Sequence, residues 1–159
     1  TMVGEVVRSF ADALGVACRL TEDNRLLPGG GATHVALARR LRRFAESIPG
    51  REQLGAEAFA DALEVIPRVL AENAGLDPID TLLKLVAAQS TGSEDSDQIG
   101  LNIFEQVPSN MIEKGILEPY GITYQSIAGA TEAAISILRI DDVLWAKQDP
   151  TMAEVPEME

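Results

Sequence analysis

The sequence is poor in residues that would anchor several kinds of chemistry: it has one cysteine, Cys18, one histidine, His34, and only 4% aromatic residues. A single thiol rules out an internal disulfide and fits a reducing, cytoplasmic compartment. Cys18 and His34 stand alone, with none of the spacing a zinc site requires, so no metal site is expected. A nucleophile–histidine arrangement would have only His34 to draw on, which argues against a catalytic triad. Positive charge is also scarce. Thirteen Lys and Arg face 25 Asp and Glu, and only Lys84, Lys114 and Lys147 are lysines. The resulting charge of −12 would repel nucleic acid and anionic membranes alike, so neither is expected as a partner. No apolar run approaches the ~18 residues of a membrane span, and no signal peptide is recognised.

What is present suits a helical protein. The 159 residues are 46% hydrophobic, enough for one core built mainly from Ala, Leu, Ile and Val. Val3, Val6, Val7, Phe10, Leu14 and Ala17 recur at helical spacing and predict a helix to about Leu20. A second helix is expected from Thr33 as N-cap, with Leu37, Leu41, Phe44 and Ile48 inward and Arg39, Arg40, Arg42 and Arg43 flanking them. After Pro49-Gly50, one long helix should run from Arg51 to Asn73, kinked at Pro67, with Phe59, Leu63, Ile66 and Leu70 inside. Asp77 is placed to cap a further helix that starts at Pro78 and buries Leu82, Leu85 and Val86. Thr91 to Asp97 reads as an acidic surface loop without the glycine and bidentate glutamate of a calcium loop. Ile99 to Val107 is strand-like, a short hairpin or arm. A last helix is expected from Ile122 to about Leu138, with Ile127, Thr131, Ala134, Ile135 and Leu138 on one face, then a strand and an acidic, disordered tail.

Two features bear on chemistry. "RLLPGGGATH" sets Gly29, Gly30 and Gly31 in a row, at a high entropic cost, just before a helix. It is neither a Walker loop nor a dinucleotide fingerprint. Glycines leading into a helix N-terminus allow close backbone approach, so the stretch is either a joint or a docking surface. Asp12, by periodicity, projects away from the Val3–Phe10–Leu14 stripe. It would either pair with Arg8 one turn earlier or face a site outside its own helix.

The long strings "ALEVIPRVLAENAGLDPIDTL" and "ATEAAISILRIDDV", with "RSFADALG", "LLPGGGATH", "GLNIF" and "GILEP", resemble group II chaperonins, the archaeal thermosome and its eukaryotic cytosolic relatives. The resemblance runs from about Val3 to Lys147. It implies a mainly α-helical equatorial-domain fragment with a short β-hairpin and a terminal β-strand. Residues 1–24 would be the carboxyl-terminal part of an intermediate-domain helix, 25–147 the second half of the equatorial ATPase domain, and 148–159 the tail. The family's GDGTT phosphate loop, its metal-binding aspartate and its apical domain have no counterpart in this stretch, so autonomous ATPase activity is not expected.

The resemblance also assigns roles. Asp12 matches the aspartate that positions the water attacking the γ-phosphate. Gly29, Gly30 and Gly31 match the loop packed on the nucleoside, where a side chain would meet the sugar or base. Asn102 and Ile103 fall where the family contacts adenine, and Glu118 matches the ribose-binding acid. The chain would thus carry the nucleoside half of a site for ATP or ADP, with Mg²⁺ held in the intact subunit. Its partners would be other subunits of a double ring and unfolded client proteins. Departures include "FEQVPSNM" in place of a pattern nearer "FTGEVEDM", and His34 in place of a usual glutamate. An alternative is a stand-alone, truncated chaperonin-like helical module for binding or assembly without ATPase activity. An independent ATPase ranks below both. The apolar strand near 140–147, without its family partners, is expected to self-associate or to be disordered.

Overall fold

The computed structural model describes residues 2–93, 95–142 and 144. Among the described residues there are six α-helices, one 3₁₀ turn and two small two-stranded antiparallel sheets, and the chain divides into two compact units, Thr1–Thr123 and Tyr124–Glu159. In the first unit, α1 (Met2–Glu22) leads to β1 (Leu26–Pro28) and α2 (Ala32–Ala45). Then come α3 (Glu52–Leu63), α4 (Val65–Asn73), α5 (Pro78–Gln89), a 3₁₀ turn (Ser96–Gln98), and β2 (Ile99–Asn102), β3 (Val107–Asn110) and β4 (Leu117–Pro119). The last helix, α6 (Tyr120–Leu138), begins in the first unit and continues through the second. Ile140, Asp141, Asp142 and Leu144 carry no regular structure. The rest of the expected terminal strand, and the tail, lie outside the described residues.

The core is Val35, Ala71, Leu85 and Leu101, with Leu70, Leu76, Leu82 and Val86 packed around it. It joins α2, α4, α5 and β2. Its composition is aliphatic, as the scarcity of aromatics implies. Asp77 caps α5 as expected, its carboxylate accepting from the Asp80 N–H at 2.8 Å, with Pro78 in the first turn.

Several expectations fail for identifiable reasons. The stripe on α1 is uncovered: the helix has no buried residue, and Phe10 is 71% exposed. On α2 the buried residues are Ala32, Val35, Ala36, Ala38 and Ala45, while Leu37 and Phe44 face outward. This helix packs extensively on α3, and the alanines let the two backbones approach closely. The single helix expected from Arg51 to Asn73 is two, parted at Glu64 rather than kinked at Pro67. Pro67 has no N–H for the Leu63 carbonyl and its ring crowds that carbonyl, so the break falls one turn upstream. Phe59 and Ile66 are consequently exposed, whereas Leu63 is buried. A bidentate pair holds the junction. Arg42 from α2 reaches both oxygens of buried Glu64, one at 2.8 Å, and also Asp61 at 2.7 Å. The Glu64 hydrogen bonds are the largest influence raising the Arg42 pKa above its ordinary value.

The hairpin is present, with Ile99 opposite Asn110, Gly100 opposite Ser109, Leu101 opposite Pro108 and Asn102 opposite Val107. Its turn closes with Gln106 at φ 58. A second sheet is unanticipated: Leu26, Leu27 and Pro28 pair with Pro119, Glu118 and Leu117.

Candidate functional site

The glycine loop follows β1 directly and is held on both sides. The Gly29 N–H donates to the Ile116 carbonyl at 2.9 Å, and the Leu101 N–H donates to the Gly30 carbonyl at 2.8 Å. The Ala32 N–H closes on Gly29 and the Val35 N–H on Gly31, starting α2. Gly31, at φ 75, is therefore the N-cap in place of Thr33, whose hydroxyl instead donates back to the Pro28 carbonyl at 3.0 Å. A loop tied down this way is not a joint.

The close approach is to the protein itself. A Cβ on Gly30 would lie 2.7 Å from the Leu101 carbonyl oxygen and 2.8 Å from the Met111 sulfur. One on Gly31 would lie 2.8 Å from the Pro67 Cβ, and one on Gly29 would lie 3.0 Å from Ile116. Gly30 and Gly31 also have positive φ, which favours glycine on backbone grounds. The fold thus requires glycine at positions 30 and 31, and crowds position 29, before any ligand is considered. Sequence reading missed a fourth, Gly100, where a Cβ would lie 2.6 Å from the Gly29 carbonyl oxygen. A glycine inside a strand-like run is the signal for such an approach.

These contacts gather the residues singled out in the sequence, with one exception. Asn102 ends β2, one residue beyond Leu101, and is buried. Its side-chain oxygen accepts from the N–H groups of Phe104 and Glu105 at 3.0 and 3.3 Å, shaping the turn, while its Nδ2 makes no hydrogen bond among the described residues. Ile103, next in the turn, is partly exposed. Glu118 faces Leu27 across the second sheet, is half-buried, and accepts from the Thr123 hydroxyl through Oε2 at 3.2 Å. Its Oε1 makes no hydrogen bond among the described residues, so it retains acceptor capacity. His34 sits in the first turn of α2. Its Nδ1 is shielded from water without a partner, and burial is the larger influence pushing its pKa down, opposed by the Glu118 charge.

Asp12 is the exception. It is exposed on α1, and Arg8 pairs with Glu5 at 2.9 Å instead of with Asp12. At ~1.5 Å per residue, Asp12 lies about 15 Å along the axis from the helix end that leads to the loop. Among the described residues no group of three His, Cys, Asp or Glu lies close enough together to hold a metal ion, and no helix is long and apolar enough to cross a membrane.

The arrangement offers a tight backbone loop, with a free carboxamide N–H₂ on β2 and a half-free carboxylate on β4, groups suited to a small polar ligand. Residues 1–148 match the model of the TCP-1/cpn60 chaperonin family. The chain belongs to that family. It is 53% identical over 147 residues to a thermosome subunit of Methanocaldococcus jannaschii, covering 92% of this chain and 27% of that protein. A thermosome subunit beta of Halobacterium salinarum is 50% identical over 145 residues, covering 91% and 26%. The fold is similar to the open-state monomer of a group II chaperonin from Methanococcoides burtonii, with a TM-score of 0.74 and 42% identity over 87% of this chain and 34% of that one. This thermosome-like chain therefore spans about a quarter of the length of the curated relatives it matches.

Proposed function

We propose that this chain is the carboxyl-terminal portion of a thermosome-type subunit, and that it supplies the nucleoside half of the ATP site and the hydrolytic aspartate of an ATP-driven folding machine. In this reading residues 1–24 belong to the intermediate domain and 25–147 to the equatorial domain. The carrying observation is the convergence of Gly29, Gly30 and Gly31 with Asn102 and Glu118, through the Gly30–Leu101 bond and the Leu27–Glu118 pairing, in a chain of chaperonin family.

The residues fit the nucleoside chemically. The Asn102 N–H₂ is a donor for an adenine ring nitrogen, and the Glu118 Oε1 is an acceptor for ribose hydroxyls. The rigid glycine loop presents a flat peptide surface to the base or sugar. Asp12, exposed and without an ion pair among the described residues, would reach the γ-phosphate only when its helix swings towards the nucleotide, which suits a hydrolytic group engaged by domain closure. ATP brings Mg²⁺ and the reactive phosphoryl group. This chain's residues bind the nucleoside and orient water.

The test is an Asp12→Ala substitution in the full-length subunit assembled into rings. ATP hydrolysis should fall at least ~100-fold, in the range general-base contributions span, while ATP binding stays within about twofold. Normal turnover in that ring would remove the role assigned to Asp12.

A further inference from the structure

A hollow beside α2 is lined by residues that the proposed nucleoside site does not use. It has a volume of 630 Å³ and is lined by Arg39, Arg40, Arg43, Ser93, Ser96 and Asp97, with Ser90 and Gly92 at its edge. The three guanidiniums project from one stretch of α2 towards the loop after α5. Among the described residues, Asp97 is the one carboxylate in the lining. It pairs with Arg39 at 2.5 Å and also with Arg40. In a chain of net charge −12, three arginines lining one hollow are a local concentration of positive charge.

The donors are only partly used. Arg43 makes no ion pair or hydrogen bond among the described residues, and neither do the hydroxyls of Ser93 and Ser96. Arg39 is fixed by its bonds to Asp97 and to the Gln89 carbonyl, yet its Nε is shielded from water without a partner. Gln89, whose carbonyl holds Arg39, is itself buried and donates to the carbonyls of Ala32 and Ile99, at 3.0 and 2.8 Å. Adjoining this hollow through Arg40 and Asp97 is a 300 Å³ recess walled by Leu27, Pro28, Ala36 and Leu37, with Thr33 and Gln98 also in its lining.

We infer that the two hollows together form a binding site for a small phosphate ester. Its phosphate sits among Arg39, Arg40, Arg43 and the serine hydroxyls, and its uncharged body lies on Leu27, Pro28, Ala36 and Leu37. Arginine clusters recognise phosphate because their planar forks match its oxygens. The volumes fall in the range of small-molecule sites, too large for a bare phosphate alone. A free inorganic phosphate would use the charged end only, which separates the two sources of the same chemistry.

The experiment titrates the protein calorimetrically with 1-naphthyl phosphate, 1-naphthol and inorganic phosphate at ~150 mM salt. Saturable binding of the ester is expected with Kd at or below about 1 mM, and at least ~10-fold weaker binding of the other two. Arg43→Gln should weaken the ester about tenfold, since it removes a charge-assisted contact, and Arg43→Lys should recover part of that loss. Arg43 makes no hydrogen bond or ion pair among the described residues, so an unchanged melting curve for Arg43→Gln is the control. Glu118→Ala should leave the ester's affinity unchanged. Absence of saturation up to ~10 mM, equal binding of ester and naphthol, indifference to Arg43→Gln, or loss of binding in Glu118→Ala would each overturn the inference.

Discussion

At the residue scale, the glycine loop is governed by steric exclusion inside the protein. Gly30 combines a positive φ with a Cβ position 2.7 Å from a backbone oxygen, that of Leu101. Gly30→Ala is expected to destabilise by about 2–4 kcal/mol, the sum of a left-handed penalty and overpacking, read from denaturant midpoints. Three glycines in a row were visible as a constraint, but their neighbours were not, because Leu101, Ile116 and Pro67 are distant in sequence. His34 is a second residue-scale case. Burial pushes its pKa below the ordinary 6.5, against the opposing Glu118 charge. Below that pH the unfolded chain binds the proton more readily than the folded one. The stability contribution is thus intact above 6.5 and lost as pH falls through the lowered folded value. His34→Gln should narrow the difference in unfolding midpoint between pH about 7.5 and about 5.5, and an unchanged difference would contradict this.

At the element scale, periodicity located the helices but not the faces they bury. Leu37, Phe44 and Phe10 are large, regularly spaced and exposed, while the alanines of α2 are buried. A pattern of large apolar residues marks a surface that needs cover without saying whether that cover lies in the same stretch of chain. The Asp77 cap was legible because all its parts are local. The β1–β4 sheet was not, since its three-residue strands are too short to show alternation and lie far apart in sequence. The junction at Glu64 also escaped notice, because it depends on Arg42 from another helix. Arg42→Met would leave a buried carboxylate without its main partner. A loss of about 2–3 kcal/mol is expected, below the full value for a buried pair because Arg42 is partly exposed. Glu64→Gln, which removes the charge but keeps an acceptor, should cost less. Chemical denaturation of the two variants measures both, and the opposite ranking would contradict the account.

At the scale of the whole molecule, family and architecture were legible from long motif strings. The grouping of the glycine loop with Asn102 and Glu118 emerges only once β2 and β4 are set on either side of that loop. The uncovered stripe of α1 fits a chain that spans about a quarter of its relatives' length. The central claim is that this chain supplies the nucleoside half of an ATP site. The measurement that tests it most directly is the affinity of the full-length subunit for ATP, ADP and adenosine, in wild type and in Glu118→Ala. The account predicts weakening of about tenfold for all three, because the lost ribose contact is common to them. Equal affinities in the two proteins would contradict it.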